Sequence, residues 1–349
     1  MLREIAGRAI GGDHPVFVIA EIGLNLSGSL DRALSMVDAA ARAGASAVKL
    51  QTLDARRLVS PSCPAPAHVR AASLREFFSA FELNADAHRG IVRRARERGL
   101  AVMATPLAED LVGMLASLGI DAFKIASGDV TFEGLIVRAA SAGRPLVIST
   151  GMSTLPEIER ALHTARHAGG DELALLHCVS AYPTPPGSQN LRAIATLQRV
   201  ARVPAGLSDH SERGMPAAVA AVALGACLYE RHLVLDDDRD AIDRAVSSTP
   251  GELAQLIQAM EETRMALGDG RKIPQPAELP NAGPSRRGLY AARALAAGSR
   301  IGRGDVAVLR PATALPPSQL PFVVGSVARR DIAAGAAFET GDLAMERAS

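Results

Sequence analysis

Residues 16–52, VFVIAEIGLNLSGSLDRALSMVDAAARAGASAVKLQT, contain the unit from which the fold is built. A β-branched run at 16–23 precedes a segment with apolar residues at helical spacing, and a second apolar run follows at 47–52. These periodicities predict a strand, a helix and a strand, in that order. Gly44 stands where the helix should end, because glycine readily adopts the left-handed conformation of many helix termini.

The same unit recurs as far as residue 268. Further strands are predicted at 101–106, 122–127, 145–150, 173–179, 205–209 and 227–233. Amphipathic segments separate them, and eight strand–helix units in roughly 250 residues match an α/β fold of the (β/α)8 TIM-barrel type. A doubly wound open sheet is the main alternative, but the GxGxxG turn that it often carries is absent. We therefore predict a TIM barrel over 1–268.

The pattern changes after the predicted barrel. Residues 269–284, DGRKIPQPAELPNAGP, are rich in proline, glycine and charge, which predicts a semi-extended linker. Residues 285–349 consist of short segments split by glycine and predict a small, mostly-β module. Two stretches of this module, RALAAGSRIGRGDV at 293–306 and RRDIAAGAAFETGDL at 329–343, resemble each other.

Composition excludes several classes of protein. The chain has 349 residues, 48% of them hydrophobic, and a formal net charge of +1, which argues against a nucleic-acid-binding protein. Its three cysteines form no CxxC pair, so neither a disulfide framework nor a zinc cluster is expected. The N-terminus lacks a signal-peptide core, and no apolar stretch is as long as a membrane span. A cytoplasmic protein without a membrane partner is predicted.

Polar side chains gather where the predicted strands end, which is where barrel enzymes place their active sites. They are Glu21, Lys49, Gln51, Thr105, Lys124, Ser127, Ser149, His177, Ser208, Asp209, His210, Glu230 and His232. For a single serine or threonine, an ordinary strand-to-loop transition is the simpler interpretation. Lys49 and Lys124 differ because each is embedded in an apolar run and must pair or bind an anion. A phosphate or carboxylate site is predicted.

His210 and His232 end neighbouring predicted strands. Imidazoles with oxygen co-ligands suit Mn²⁺, Co²⁺ or Zn²⁺. The spacing of the two histidines is not a metal motif in itself, so a role without metal stays open at this point. The acidic run DDDRD at 236–240 is interpreted as a solvated loop.

These residues lie in motifs that resemble the sialic acid (N-acetylneuraminate) synthase family, which includes spore-coat polysaccharide biosynthesis proteins. The matching runs are FVIAEIGLNLSGSLDRALSMVDAAARAGASAVKLQT, ATP at 104–106, FKIASGD, ISTGM, LLHCVSAYPTP, GLSDHS, ERH, LRP and GSVARRDIAAG. The resemblance covers nearly the whole chain. It implies a (β/α)8 barrel followed by an antifreeze-like (SAF, β-clip) domain over 285–349.

The resemblance implies a reaction, its cofactor and the residues that serve it. The family condenses phosphoenolpyruvate with an N-acyl-hexosamine, such as N-acetylmannosamine, giving a nonulosonic acid and phosphate for surface polysaccharides. A divalent metal, Mn²⁺ with Mg²⁺ or Co²⁺ as alternatives, is implied at His210 and His232. Catalytic roles fall to Glu21, which positions water, and to Lys49 and Lys124. The implied phosphoenolpyruvate-binding residues are Lys49, Thr105, Lys124, Ser127, Ser149 and Ser208, and the sugar-binding residues are Gln51, Tyr182, Asp243 and Arg310.

The resemblance also implies a partner. Arg310 lies in the C-terminal module, which in the family caps the barrel of the neighbouring subunit. A terminal module on a semi-extended linker can reach another barrel as readily as its own. A domain-swapped homodimer is therefore expected.

The sequence departs from the family pattern at Leu26, Ser27, Asp129, Ser180, Ala241, Ile242 and Ala312. The positions implied for phosphoenolpyruvate and metal match, whereas the departures gather near those implied for the sugar, so the sugar stays open. One alternative is a phosphoenolpyruvate aldol-type synthase acting on another aldose, against which Gln51, Tyr182 and Arg310 weigh. Another is a non-catalytic sugar-binding homologue, which would not need both an anion site and a metal site.

Overall fold

The computed structural model describes residues 2–65 and 71–344 of the chain. The chain divides into two units, residues 1–268 and residues 269–349. Among the described residues, no helix combines the length and the apolar character that crossing a bilayer requires.

The first unit is a closed barrel of parallel strands. The eight strands are β1 (Phe17–Glu21), β2 (Ala47–Thr52), β3 (Ala101–Pro106), β4 (Ala122–Ile125), β5 (Leu146–Ser149), β6 (Leu173–Cys178), β7 (Ala205–Asp209) and β8 (Leu228–Leu233). Each strand pairs in parallel with the next. Strand β8 also pairs with β1, which closes the ring. The predicted barrel is confirmed, and the open doubly wound sheet is excluded.

A helix follows every strand. These helices are α1 (Leu30–Ala43), α2 (Ala85–Glu97), α3 (Leu111–Ser117), α4 (Glu133–Ala140), α5 (Leu155–His167), α6 (Ala193–Ala201), α7 (Met215–Ala223) and α8 (Pro250–Leu267). Two shorter helices, Ala55–Leu58 and Leu74–Ser79, lie between β2 and α2. Helix α1 ends at Gly44 with φ +88°, the left-handed conformation that the sequence predicts.

The barrel interior is apolar at one end and polar at the other. On β1, Phe17 and Ile19 belong to the interior apolar cluster, and Glu21 follows at the same period of two. An N-terminal hairpin, Glu4–Ile5 paired with Arg8–Ala9, adds buried residues to this cluster. The hairpin was not predicted from the sequence because its strands are only two residues long. Functional side chains are thereby confined to the carboxyl ends of the strands.

One glycine is required for the closure of the ring. A Cβ atom on Gly206 of β7 would lie 2.0 Å from the carbonyl oxygen of Leu228 on β8. No side chain fits in that space, so the close approach of β7 and β8 depends on glycine. This approach carries the ends of both strands, and with them His210 and His232, toward each other.

The segment predicted as a linker is partly helical. A 3-10 turn at Pro276–Glu278 leads into a helix at Leu279–Ser285. A proline stands in the first turn of each, where the missing N–H costs no hydrogen bond, and the helix Leu279–Ser285 also contains Pro284 near its end. Because a helix rises only about 1.5 Å per residue, this segment reaches less far than the semi-extended chain predicted from the sequence.

The second unit is built from two equivalent halves. Strand Gly288–Ala291 pairs with Val306–Leu309, and Val327–Ala328 pairs with Leu343–Ala344. The two similar stretches of sequence form matching ion pairs: Nε of Arg293 lies 2.6 Å from Asp305 Oδ1, and Nε of Arg330 lies 2.6 Å from Asp342 Oδ1. The internal similarity seen in the sequence therefore corresponds to repeated local structure around one apolar core.

Candidate active site

The predicted site residues of the first unit converge on one cavity of about 310 Å³ at the carboxyl ends of the strands. Predicted residues that line it are Lys49, Gln51, Thr105, Lys124, Ser127, Ser149, Tyr182, Ser208, His210 and His232. Glu21 and Asp243 contact His232 from beside the cavity. Arg310 lies in the second unit, after strand Val306–Leu309, and is exposed.

Lys49 is a buried cation between two carboxylates. Its Nζ donates to Thr105 Oγ1 at 3.4 Å and lies 3.5 Å from Glu21 Oε1 and 3.7 Å from Glu230 Oε1. Burial alone would lower the pKa of Lys49, but Glu230 and Glu21 raise it above its ordinary value. The side chain is therefore an ammonium group at neutral pH, which suits anion binding and disfavours a Schiff base.

Lys124 faces the same cavity with fewer charged partners. Its Nζ donates to the carbonyl oxygen of Ile125 at 3.0 Å. Burial lowers the pKa of Lys124, although the carboxylate of Glu230 opposes the shift. An anion bound beside this lysine would favour the charged form.

Glu230 is a site residue to which the sequence analysis gave no role. Its carboxylate accepts a hydrogen bond from Ser208 Oγ at 3.0 Å and lies between the charges of Lys49 and Lys124. Burial would raise the pKa of Glu230, and the two ammonium groups bring it below its usual value. The available signal was strand alternation, because Glu230 precedes His232 by two residues and so shares its face of β8.

Glu21 is fully buried and ionised. Its Oε1 accepts hydrogen bonds from the Gly23 N–H at 2.9 Å and from Gln51 Nε2 at 3.3 Å. Burial would raise the pKa of Glu21, but the charges of Lys49 and His232 lower it from 4.5 to about 2. The group is therefore a carboxylate whose orientation is set from two sides.

The rings of His210 and His232 lie 5.4 Å apart, measured between centroids. His210 Nδ1 donates to the carbonyl oxygen of Val179 at 3.1 Å, which leaves the lone pair on Nε2. Burial lowers the pKa of His210 from 6.5 to about 4, so its imidazole is neutral. The Tyr182 ring stacks on His210 with centroids 4.1 Å apart. His210 thus has the protonation state of a metal ligand.

His232 is flanked by two carboxylate groups. Its Nδ1 lies 2.8 Å from Glu21 Oε2 and 3.2 Å from Asp243 Oδ2. One ligand atom from each of these three residues lies within 4.8 Å of the others. Burial would lower the pKa of His232, but the carboxylates raise it to about 10.

The donor set fits a divalent cation. In the part of the chain that the structure describes, the buried side-chain atoms without a hydrogen bond of acceptable geometry are Ser149 Oγ, Glu230 Oε2, Glu21 Oε2 and His232 Nδ1, the last two of which lie 2.8 Å from each other. All four belong to the carboxyl-end site, and buried polar groups normally have partners. Imidazole nitrogen with carboxylate oxygen is a donor set that Mn²⁺ and similar ions accept.

Asn25 is another residue that the sequence analysis did not assign. It is fully buried, and its Nδ2 donates to the Leu233 carbonyl oxygen at 2.8 Å and to Ser247 Oγ at 2.9 Å. Its Oδ1 accepts from the Asp243 N–H at 3.0 Å. Asn25 therefore fixes the loop that brings Asp243 to His232. The next residue, Leu26, packs in the apolar core rather than lining the cavity.

Two known protein families match the chain, one over most of the barrel and one over the second unit. The sequence profile of the NeuB family matches residues 36–272, and that of the SAF domain matches residues 286–344. The chain belongs to the NeuB family. The resemblance inferred from the motifs and the C-terminal SAF domain are thereby confirmed.

Several relatives of this NeuB-family chain are named as synthases of sialic acid or of related sugar acids. It is 35% identical over 343 residues to the N,N'-diacetyllegionaminic acid synthase of Legionella pneumophila, covering 95% of this chain and 96% of that protein. It is 35% identical over 280 residues to the N-acetylneuraminate-9-phosphate synthase of Homo sapiens, covering 78% and 77%. The crystal structure of an N-acetylneuraminic acid synthetase from Leptospira borgpetersenii matches with a TM-score of 0.72 at 33% identity, covering 80% and 94%.

Proposed function

We propose that this protein condenses phosphoenolpyruvate with an N-acyl-hexosamine, in a metal-dependent reaction, to give a sialic-acid-type nonulosonate and phosphate. The observation that carries the proposal is the presence, in one cavity, of two buried lysines and a pair of histidines flanked by carboxylates. An anionic donor and a carbonyl acceptor need these two kinds of site side by side.

Phosphoenolpyruvate fits the lysine side of the cavity. It carries a carboxylate and a phosphate, and charge-assisted hydrogen bonds from ammonium groups hold such anions strongly. Lys49 and Lys124 supply the ammonium groups, and the hydroxyl donors around them are those of Thr105, Ser127, Ser149 and Ser208. Ser149 Oγ is buried without a protein partner, so a bound anion would satisfy it.

The histidine side of the cavity suits the acceptor sugar. A divalent cation held by His210 and His232 supplies Lewis-acid polarisation of an aldehyde oxygen when it is bound. Gln51 and Tyr182 line the same cavity, and Asp243 lies beside it, so these residues can contact the acylated sugar. We assign Mn²⁺ as the cation, with Mg²⁺ or Co²⁺ as substitutes.

The proposed reaction forms one carbon–carbon bond between the two substrates and one carbon–oxygen bond to water, and it breaks the carbon–oxygen bond that holds the phosphate. The methylene carbon of phosphoenolpyruvate attacks the aldehyde carbon of the open-chain sugar, and positive charge develops at the adjacent carbon. Water positioned by Glu21 adds there, and the resulting tetrahedral intermediate loses phosphate through cleavage of its carbon–oxygen bond. Lys49 and Lys124 offset the anionic charge of the phosphate and carboxylate throughout.

The test is a substrate panel with the full-length protein and Mn²⁺. N-acyl-hexosamines, unacylated aldoses and sugar phosphates are each incubated with phosphoenolpyruvate, and phosphate release is measured together with product mass. We expect release that matches nonulosonate formation for an N-acyl-hexosamine. Release only with unacylated aldoses would replace the proposal with another aldol-type synthase. No release with any acceptor would indicate a sugar-binding protein.

We also propose that the active assembly is a homodimer in which the SAF domain of one subunit caps the barrel of the other. The support is the small size of this terminal domain, since exchange of a terminal module is a low-cost route to a dimer. The exposed Arg310 is the residue that the domain would offer to the sugar.

Complementation tests the exchange. Lys49→Met impairs the barrel but keeps Arg310, and Arg310→Ala does the reverse, so each variant alone should release little phosphate when phosphoenolpyruvate is kept below the wild-type KM. Refolded together, the two should form heterodimers with one intact site, and the mixture should recover a substantial fraction of wild-type phosphate release. Verified heterodimers without recovery would mean that each domain serves its own barrel.

A further inference from the structure

A buried guanidinium group behind the cavity has no part in the proposed chemistry. Arg231 is 1% exposed and stands on β8 between Glu230 and His232. Because side chains alternate along a strand, Arg231 lies on the opposite face from these two neighbours, toward the helices that surround the barrel. A fully buried arginine is retained only where its donors are satisfied.

Arg231 binds the turn that follows β7. Its Nη1 donates to the carbonyl oxygens of Ser211 at 2.5 Å and Asp209 at 3.4 Å, and its Nη2 donates to the carbonyl oxygen of Glu212 at 3.3 Å. These three carbonyl groups span the turn that carries His210. The path of the backbone at His210 is therefore set by a side chain of the neighbouring strand.

Asp209 completes this buried cluster. Its Oδ2 lies 3.4 Å from Arg231 Nη1 and accepts a hydrogen bond from the Tyr229 hydroxyl at 2.7 Å. Its Oδ1 accepts from the Ser211 N–H at 2.8 Å. The cation and the carboxylate thus offset each other, and both carboxylate oxygens have donors.

The same guanidinium also reaches the segment after β8. Arg231 Nε donates to Ser248 Oγ at 3.0 Å. The adjacent Ser247 pairs with His232 in a short parallel ladder, and its hydroxyl donates to the Asp243 carbonyl oxygen at 2.7 Å. One side chain therefore joins the turn of His210, the strand of His232 and the loop of Asp243.

We propose that Arg231 is a positioning residue that sets the separation of His210 and His232, and through it the affinity of the site for a divalent cation. The inference rests on the proposed metal-dependent function. Lysine cannot take the place of Arg231, because one ammonium group cannot present the planar fork that reaches three carbonyl oxygens and Ser248 together. Groups that orient metal ligands typically contribute about 10- to 100-fold to metal affinity.

Arg231→Lys, which keeps the charge, tests the proposal in the full-length, metal-free protein. Mn²⁺ binding is titrated by electron paramagnetic resonance, and the KM for phosphoenolpyruvate and kcat are measured at saturating Mn²⁺. We expect a Kd for Mn²⁺ raised about 10- to 100-fold. The KM for phosphoenolpyruvate should change little, because the lysine side of the cavity is untouched. A purely structural role would lower the melting temperature and leave the Mn²⁺ Kd unchanged.

Arg94→Lys is the matched control. Arg94 Nη1 donates to Asp38 Oδ2 at 2.9 Å and joins α2 to α1, away from the cavity. The same chemical change there should leave the Mn²⁺ Kd at the wild-type value. If Arg231→Lys does not fold, Tyr229→Phe removes a single hydrogen bond to Asp209 and should raise the Kd a few-fold.

A wild-type Mn²⁺ Kd in folded Arg231→Lys, or in Tyr229→Phe if that variant carries the test, would overturn the positioning role. Wild-type protein that binds Mn²⁺ but releases no phosphate with any acceptor would overturn the proposed reaction, while the titration still decides the role of Arg231. Wild-type protein that binds no Mn²⁺ would overturn both.

Discussion

Replacing His232 with alanine should abolish Mn²⁺ binding and lower phosphate release from phosphoenolpyruvate on the order of 10³-fold. His232 Nδ1 lies 2.8 Å from Glu21 and 3.2 Å from Asp243, so the variant removes the one nitrogen of this ligand cluster. Isothermal titration with Mn²⁺ and a phosphate-release assay measure the two effects.

His88→Ala is the control for loss of a buried imidazole. His88 is 1% exposed and bonds to Thr52 Oγ1 at 2.9 Å, but it belongs to none of the metal-ligand groups found among the described residues. That variant should lose stability and keep its Mn²⁺ affinity. Chelation of wild-type protein should stop turnover, and Mn²⁺ should restore it. Full turnover in the presence of a chelator would refute the metal assignment.

Substituting Lys49 with methionine should raise the KM for phosphoenolpyruvate about 10- to 100-fold and destabilise the protein. A hydrogen bond to a charged group contributes about 1.5–3 kcal/mol, which accounts for the loss of affinity. The substitution also leaves Glu21 and Glu230 facing each other without the cation between them, and breaking a buried pair costs about 3–5 kcal/mol. Initial rates over a range of phosphoenolpyruvate concentrations and a denaturant titration test both expectations.

The chain contains three lysines, Lys49, Lys124 and Lys272, and the third provides a matched control. Lys272 is exposed, so Lys272→Met makes the same chemical change away from the cavity and should alter neither KM nor stability. Lys124→Met should resemble Lys49→Met in its effect on the KM for phosphoenolpyruvate but lower stability less. The lowered pKa of Lys124 means that the folded protein stabilises its ammonium form less than that of Lys49, so less is lost when the charge is removed. Unchanged KM in both cavity variants would reject the anion site.

Much of the barrel could be predicted because its patterns are local. Each of the eight predicted strands is present, within two residues at either end, and Gly44 ends α1 as expected. The N-terminal hairpin was missed because two-residue strands leave no periodicity to detect. The helix at Leu279–Ser285 was missed because its prolines suggested a linker. Proline is tolerated in a first turn, where Pro280 lies, but the second proline, Pro284, lies inside the helix.

The candidate site was predictable only in part. The apolar runs around Lys49 and Lys124, and the place of His232 at the end of a predicted strand, indicated that these residues belong to the site, and the structure places all three around one cavity. The sequence patterns did not reveal that Glu230 lies between the lysines or that Asn25 holds the loop of Asp243. Glu230 carried a signal in its spacing from His232, whereas Asn25 acts through residues more than 200 positions away in the sequence.

The sequence by itself determined the order of strands and helices, the apolar and polar ends of each strand, and the family to which the chain belongs. These properties depend on near neighbours, whose spacing is written directly in the chain. Only the tertiary structure decided which polar groups meet. Glu21 and Asp243 approach His232 from opposite ends of the barrel sequence, and Arg231 clamps the turn of His210 from the next strand. Such contacts depend on ring closure, strand register and the paths of loops, which no local pattern specifies.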